Sequence, residues 1–327
     1  MGDSVVGPGE PIIPQEGRGL PLDPTPPLAA PQTESGDALA RGGLWISTRR
    51  SLLFRHLVLD PGSALGTFLV LAAVFVAVAG PLFAPYSPII PDYNSMSGAP
   101  SGPHPFGTDI VGDDVLSRVL YGARLSIGTA AELLTLAGII GLTLGALAGY
   151  FGRWIDEAIM RLTDLFLAFP ALILALAVAS TLGAGLQSAM IALSMAFWPT
   201  YARLLRAQVL SLKGRSFVEA ARVGGGTNFT IMRRHILPNS MSPIIIQLSM
   251  DMGFAILATS SLSFIGVGAQ PPSPEWGAMI VAGQDYLRTD WWLAAFPGIA
   301  LTLTVLGFNL LGDGLRDAFD PRSKFGS

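Results

Sequence analysis

Between Leu165 and Ala202 the chain carries no charged residue over 38 consecutive positions. As one helix that stretch would be about 57 Å long, roughly twice the ~30 Å hydrocarbon core of a bilayer. It has to fold back, and Gly183-Ala184-Gly185 is the natural turn. Similar gaps recur along the chain. No charge lies between Asp60 and Asp92 or between Asp290 and Asp313. Glu132 is alone between Leu125 and Phe151, and Asp251 is alone between Asn239 and Pro274. Only 13% of the 327 residues are charged and 50% are hydrophobic, against about 25% charged in soluble domains. A single water-soluble globule and a disordered chain are both excluded. The gaps predict six spans, at 62–83, 125–150, 161–182, 186–206, 243–266 and 291–312. In lipid each must be helical, because its backbone groups can only be satisfied internally. The fold class is therefore an all-α polytopic membrane protein.

Apart from Arg118, Arg124 and Arg288, every lysine and arginine falls on the side of the spans that holds both termini. The positive-inside rule places that side, and both termini, in the cytoplasm. Residues 1–43 hold eight prolines, six acids and two arginines with no apolar period. They read as a disordered cytoplasmic tail acting as a solvated spacer, with the membrane domain over 44–327. The net charge of −3 argues against a nucleic-acid partner. Without cysteine, disulfides and thiolate chemistry are absent.

On the outer side, Val111 to Tyr121 reads as a short helix lying on the membrane surface, and a second amphipathic stretch runs from Trp276 to Leu287. In span two, Gly141, Gly145 and Gly149 share one helix face, with Gly138 nearby. Small residues so spaced predict close approach of another helix.

The loop over 207–239 is the longest on the inner side. Phe217 to Arg222 has helix-forming residues, and Gly224-Gly225-Gly226 interrupts them. Thr227 or Asn228 can cap a second helix over Phe229–His235 that ends before Leu237-Pro238. A helix–turn–helix at the membrane surface suits docking to a soluble partner, and an ordinary amphipathic connector fits the same residues.

Resemblance enters at this loop. Glu219-Ala220-Ala221, Gly225 and Leu237-Pro238 resemble the EAA signature of ABC-importer permease subunits, with His235 in the usual isoleucine slot. His104-Pro105-Phe106-Gly107-Thr108-Asp109, then Gly112, Asp114, Leu116-Ser117-Arg118 and Gly122-Ala123-Arg124 are similar to the second permease of the dipeptide/oligopeptide (peptide/nickel) branch. So are Gly149-Tyr150-Phe151-Gly152, Asp156, Leu262-Ser263-Phe264, Trp276-Gly277-Ala278-Met279 and the run Asn309 to Asp317. Together they cover residues 45 to 325. Three departures from the pattern stand out. Asp113 stands where an arginine is usual, and Thr259 where a glutamate is common. Gly224 and Gly226 replace the usual leucine and alanine and are expected to loosen the turn.

The resemblance implies a type I ABC importer permease in the bacterial cytoplasmic membrane, carrying di- or oligopeptides. It implies a second homologous permease subunit, one or two cytoplasmic ABC ATPase subunits and an extracytoplasmic substrate-binding protein. Glu219, Ala220, Ala221, Arg222, Gly225, Leu237 and Pro238 are the ATPase-coupling residues in this reading, within a coupling helix. Glu132, Asp251 and Thr259 are candidates for the substrate path or gate. The chain itself holds no cofactor, and ATP and Mg belong to the partner ATPases. Its only lysines, Lys213 and Lys324, precede Gly214 and Phe325, so the Gly-Lys-Ser/Thr run of a P-loop is absent. Two alternatives stay open. One is an ion-coupled secondary transporter using Glu132, Asp164 and Asp251 as relay groups. The other is an ABC importer of nickel chelates or haem-like ligands. An intramembrane metalloenzyme is disfavoured, since His56, His104 and His235 lie in separate segments.

Overall fold

A computed structural model describes residues 60–319, together with the isolated Gly2. Apart from Gly2, the tail assigned to residues 1–43 lies outside the described residues. Ten α-helices follow one another there: α1 Pro61–Phe83, α2 Val115–Phe151, α3 Arg153–Leu167, α4 Ala171–Leu182, α5 Leu186–Lys213, α6 Ser216–Val223, α7 Asn228–Ile231, α8 Leu237–Phe264, α9 Trp276–Gln284 and α10 Trp292–Phe319.

All six expected spans are helical, but they are not equivalent. Among the described residues four helical segments are long and apolar enough to cross a membrane: α1, α2, the run Asn228–Phe264 and α10. A fifth qualifies only if α3 and α4 count as one span, and those two are bent by 90°. Pro170, the N-cap of α4, has no N–H to continue the α3 ladder and pushes the residue before it out of the α region. The span expected over 161–182 is therefore broken at 168–170. At 28 residues α5 has the length of a span, but Gln187, Pro199 and Arg203 dilute its apolar character.

The 37 residues of α2 give a rod of about 55 Å. Its first turns are the segment expected to form a separate surface helix, so that expectation is corrected: the outer turns continue into the span without a break. Asp114 starts the helix by accepting from Ser117 N at 2.8 Å, a standard N-cap. Residues Gly152 (φ +65) and Arg153 (φ +52) then turn the chain from α2 into α3.

The most extensive packing is between α2 and α5, and the glycine stripe explains it. A Cβ on Gly141 would lie 2.4 Å from Trp198 O, one on Gly145 2.4 Å from Ala202 O, and one on Gly149 2.8 Å from Val209 Cβ. These three glycines let the two backbones touch. Gly138 has open space around its Cβ position and takes no part. α1 packs on α10 and α2 and leaves Leu65, Phe68, Leu71, Phe75, Val78 and Leu82 exposed, an apolar face suited to lipid.

Candidate functional site

The expected helix–turn–helix is present at the end of the molecule that carries the basic residues. α6 holds the sequence Ser-Phe-Val-Glu-Ala-Ala-Arg-Val. Val218 is fully buried and packs in a cluster with Leu205, Val209, Ile231, Ile236 and Ile244. That apolar anchor seats α6 against α5 and α7, and leaves Glu219, Ala220 and Arg222 exposed with Ala221 half-buried. Val223 and Phe229, at the turn and on the second helix, are 90% and 73% exposed. The glycines close the turn more tightly than the sequence suggests. Gly225 adopts φ +80, a region where glycine carries no side-chain penalty. Gly226 N donates to Ala221 O at 3.0 Å, and a Cβ on Gly226 would lie 2.7 Å from that oxygen. Glycine at 226 permits this close return, and an alanine would push it open.

The second helix departs from expectation. α7 is capped by Thr227, whose Oγ1 accepts from Thr230 N, but the chain does not break at Leu237-Pro238. A π-helical turn over Met232–Ile236 runs directly into α8. Pro238 cannot donate to a carbonyl one α-turn earlier, and the wider turn absorbs that missing bond. Two further bonds tie the loop to the end of α2. Tyr150 Oη donates to Asn228 Oδ1 at 2.6 Å, and Lys213 Nζ donates to Tyr150 O. Leu237 lines an apolar cavity of about 670 Å³ beside Tyr150, while Pro238 is exposed.

The intramembrane candidates occupy separate places. Glu132 is exposed on α2. Asp251 on α8 accepts from Tyr201 Oη at 2.7 Å and from Gln247 Nε2 at 3.0 Å. Thr259 is 1% exposed, and its hydroxyl returns to Ala255 O and Ile256 O of its own helix. Asp164 pairs with Arg203 at 2.7 Å. Among the described residues no hydrogen bond or ion pair joins Glu132, Asp251 and Thr259, and no cluster of acids and histidines could hold a metal.

Comparison with known proteins decides the family. Residues 141–325 match the family described as binding-protein-dependent transport system inner membrane component. The dipeptide transport system permease protein DppC of Alkalihalophilus pseudofirmus is 42% identical over 83% of this chain and 89% of its own length. The chain belongs to this permease family. The probable D,D-dipeptide permease DdpC of Escherichia coli is 41% identical over 81% of the chain and 89% of the relative. The glutathione permease GsiD of Pectobacterium atrosepticum is 45% identical over 71% and 77%. A solved inward-facing structure of the MetNI methionine ABC transporter shares the fold, with a TM-score of 0.50 at 19% identity, covering 62% of this chain and 96% of that one. The permease is thus a multi-pass membrane protein of the type I importer fold and the dipeptide-branch type. Its family is one of transport components, not enzymes.

In the permease the outer-loop motif builds scaffold. His104 Nδ1 lies 2.9 Å from Asp114 Oδ1, the same carboxylate that caps α2. Asp109 Oδ1 accepts from Val111 N and Asp113 N at 3.0 and 2.9 Å. Asp113, the charge reversal, is 2% exposed and pairs with Arg118. Burial and the neighbouring Asp109 push its carboxyl above the usual aspartate value, against the pull of Arg118. Beneath these, Glu275 is fully buried. Its Oε1 accepts from Ser126 and Ser260 at 3.2 and 3.1 Å, and its Oε2 caps α9 through Ala278 N at 2.9 Å. This carboxylate joins α2, α8 and the last outer loop. Sequence reasoning passed it over, since its partners are 149 and 15 residues away.

Proposed function

We propose that the permease forms half of the translocation path of an ATP-driven importer of di- or oligopeptides, and that loop 207–239 couples the path to cytoplasmic ATPases. The observation that carries this reading is the form of that loop. Val218 pins α6 to the bundle while Glu219, Arg222, Val223 and Phe229 project outward. A partly apolar protrusion whose charges have no ion-pair partner among the described residues is suited to a cleft in a soluble partner. Ala220 and Ala221 keep one face small, Gly225 allows the turn, and Leu237-Pro238 joins the loop to α8. The ATPases, with ATP and Mg, are separate chains. A second permease completes the path, and an extracytoplasmic binding protein delivers cargo. Both termini are cytoplasmic by the distribution of arginine and lysine.

Short peptides are the cargo of choice because the relatives are named for dipeptide, D,D-dipeptide and glutathione transport. Glu132 is the residue proposed to meet a peptide ammonium group, a reading supported by its exposure and its lack of an ion-pair partner among the described residues. Asp251 and Thr259 support the helices beside the path. An ion relay has less support, because Asp251 is held by Tyr201 and Gln247, and Asp164 by Arg203. The test is uptake of labelled dialanine by the reconstituted complex. Import should require ATP and survive a proton uncoupler at constant ATP. Import driven by a gradient without ATP would overturn the reading.

A further inference from the structure

We infer that Asp156 and Arg206 are positioning residues for transport: their ion pair fastens α3, the first half of the broken span, to the helix that carries the coupling loop. The inference rests on the reading of loop 207–239 as the coupling site. Arg206 Nε meets Asp156 Oδ1 at 2.5 Å, and its Nη2 meets Oδ2 at 2.7 Å. This is a bidentate fork, the strongest geometry available to an arginine and a carboxylate. The side chains are 31% and 19% exposed, so water screens them only in part. A second rung, Arg203 Nη2 to Asp164 Oδ1 at 2.7 Å, is 55% and 66% exposed and contributes little alone. It does fix the direction of α3. The rungs run in opposite order on the two helices, Arg203 with Asp164 and Arg206 with Asp156, so they set α3 antiparallel to α5.

The placement of this pair gives it a role. Seven residues after Arg206, α5 ends at Lys213 and the chain enters α6. Val218 of α6 packs in one cluster with Leu205 and Val209 of α5, and Val209 also meets Gly149 of the glycine stripe of α2. The loop and α5 therefore act as one body. At the far end α3 meets the 90° break, and beyond it the half-span α4 exposes Leu172, Ile173 and Leu182. Movement at the coupling loop passes through α5 and the Asp156–Arg206 fork to α3. Beyond the break at 168–170, α4 packs directly on α5 and moves with it. Without the fork, α5 and α4 could move and leave α3 behind.

Because the chain has no cysteine, two introduced thiols are the only labels it carries. Spin labels at Glu157→Cys and Ser211→Cys report the spacing of α3 from the end of α5 in the complete complex with its partner subunits in membranes. The distance should be the same in the nucleotide-free and ATP-trapped states. A distance that changes with nucleotide in this otherwise wild-type chain overturns the proposal. That measurement decides by itself if Asp156 variants fail to assemble. Asp156→Ala should raise the ATP hydrolysed per dialanine imported about fivefold, and the exchanged pair Asp156→Arg with Arg206→Asp should recover most of that loss. Wild-type stoichiometry in an assembled Asp156→Ala complex would also overturn it. The two readings fail separately: normal import by Glu219→Arg would remove the coupling loop, whatever the label distance does.

Discussion

The hydroxyl of Tyr201 donates to Asp251 Oδ2 at 2.7 Å and bridges α5 to α8 within the bundle. Gln247 Nε2 supplies the other oxygen at 3.0 Å, so both carboxylate oxygens have a donor, and Tyr201 is fully buried. An ionisable group inside a span is costly unless it is paired, and here the pairing joins helices that no lipid separates. A proton or sodium relay would need the carboxylate to titrate, whereas a structural tie needs only an acceptor. Asp251→Asn should keep dialanine import within about twofold, since an amide oxygen still accepts from Tyr201. Tyr201→Phe should lower stability by about 1 kcal/mol, the order of an interhelical bond in a membrane. Uptake assays and thermal unfolding in detergent measure the two effects. Loss of transport in a fully assembled Asp251→Asn complex would favour the relay.

The glycine stripe makes a paired prediction. Gly145 faces Ala202 O, with 2.4 Å available to a Cβ, and the listening neighbour is backbone that cannot swing aside. Gly145→Ala should separate α2 from α5 and cost about 1–3 kcal/mol by overpacking. Gly138→Ala meets nothing within 4 Å and should stabilise α2 by up to about 1 kcal/mol through helix propensity. Thermal unfolding of the two variants side by side gives the comparison, and equal effects would contradict the packing.

Much of this arrangement is legible in the residues, and the part that is not has a common cause. Charge gaps locate the spans because burying an unpaired charge in lipid is costly over any stretch of chain, a local rule. Phe217–Arg222 and the glycines after it announce α6 for the same local reason. Three features escape local reading. The outer turns of α2 look amphipathic, yet they continue into the span because Asp114 caps the helix ahead of them. The Met232–Ile236 π-turn lets Pro238 enter α8, where a proline would ordinarily end the preceding helix. Glu275, the Asp156–Arg206 fork and the Tyr201–Asp251 bond join residues far apart in sequence, and only the packing of the helices selects the partner.

Asp113 makes a pH-dependent prediction. Its carboxyl is raised above the ordinary value of 3.8 by burial first and by Asp109 second. The folded loop then holds the proton more tightly than the unfolded chain. Its contribution to stability is fullest below 3.8 and is lost as pH rises through the folded value. Amide hydrogen exchange over residues 109–118, corrected for its intrinsic pH dependence, should show protection that rises as pH falls through the folded value toward 3.8. Asp113→Asn should remove that slope while leaving the exchange of α5 unchanged. A slope that survives in the variant would assign it to another group.

Glu219 separates coupling from mere structure. Its side chain is exposed and has no ion-pair partner among the described residues, and the neighbouring Val218 provides the packing that holds α6 in place. Substitution at 219 should therefore spare the fold, because surface changes away from packed or paired groups stay within about 0.5 kcal/mol. Substitution at 218 should not: Val218→Asp places an unpaired charge in a cluster with Leu205, Val209 and Ile244, and the loop should lose protection from proteolysis. If the loop seats in an ATPase, Glu219→Arg reverses a charge within that contact while α6 stays folded. Import should fall by about tenfold or more, as expected when one partner of a buried, hydrogen-bonded charge pair is reversed, at wild-type abundance in the membrane. Co-purification of the ATPase with the permease and uptake of dialanine measure the two consequences together. Import at the wild-type rate with equal expression would show that the exposed carboxylate of α6 is solvated surface and carries no coupling.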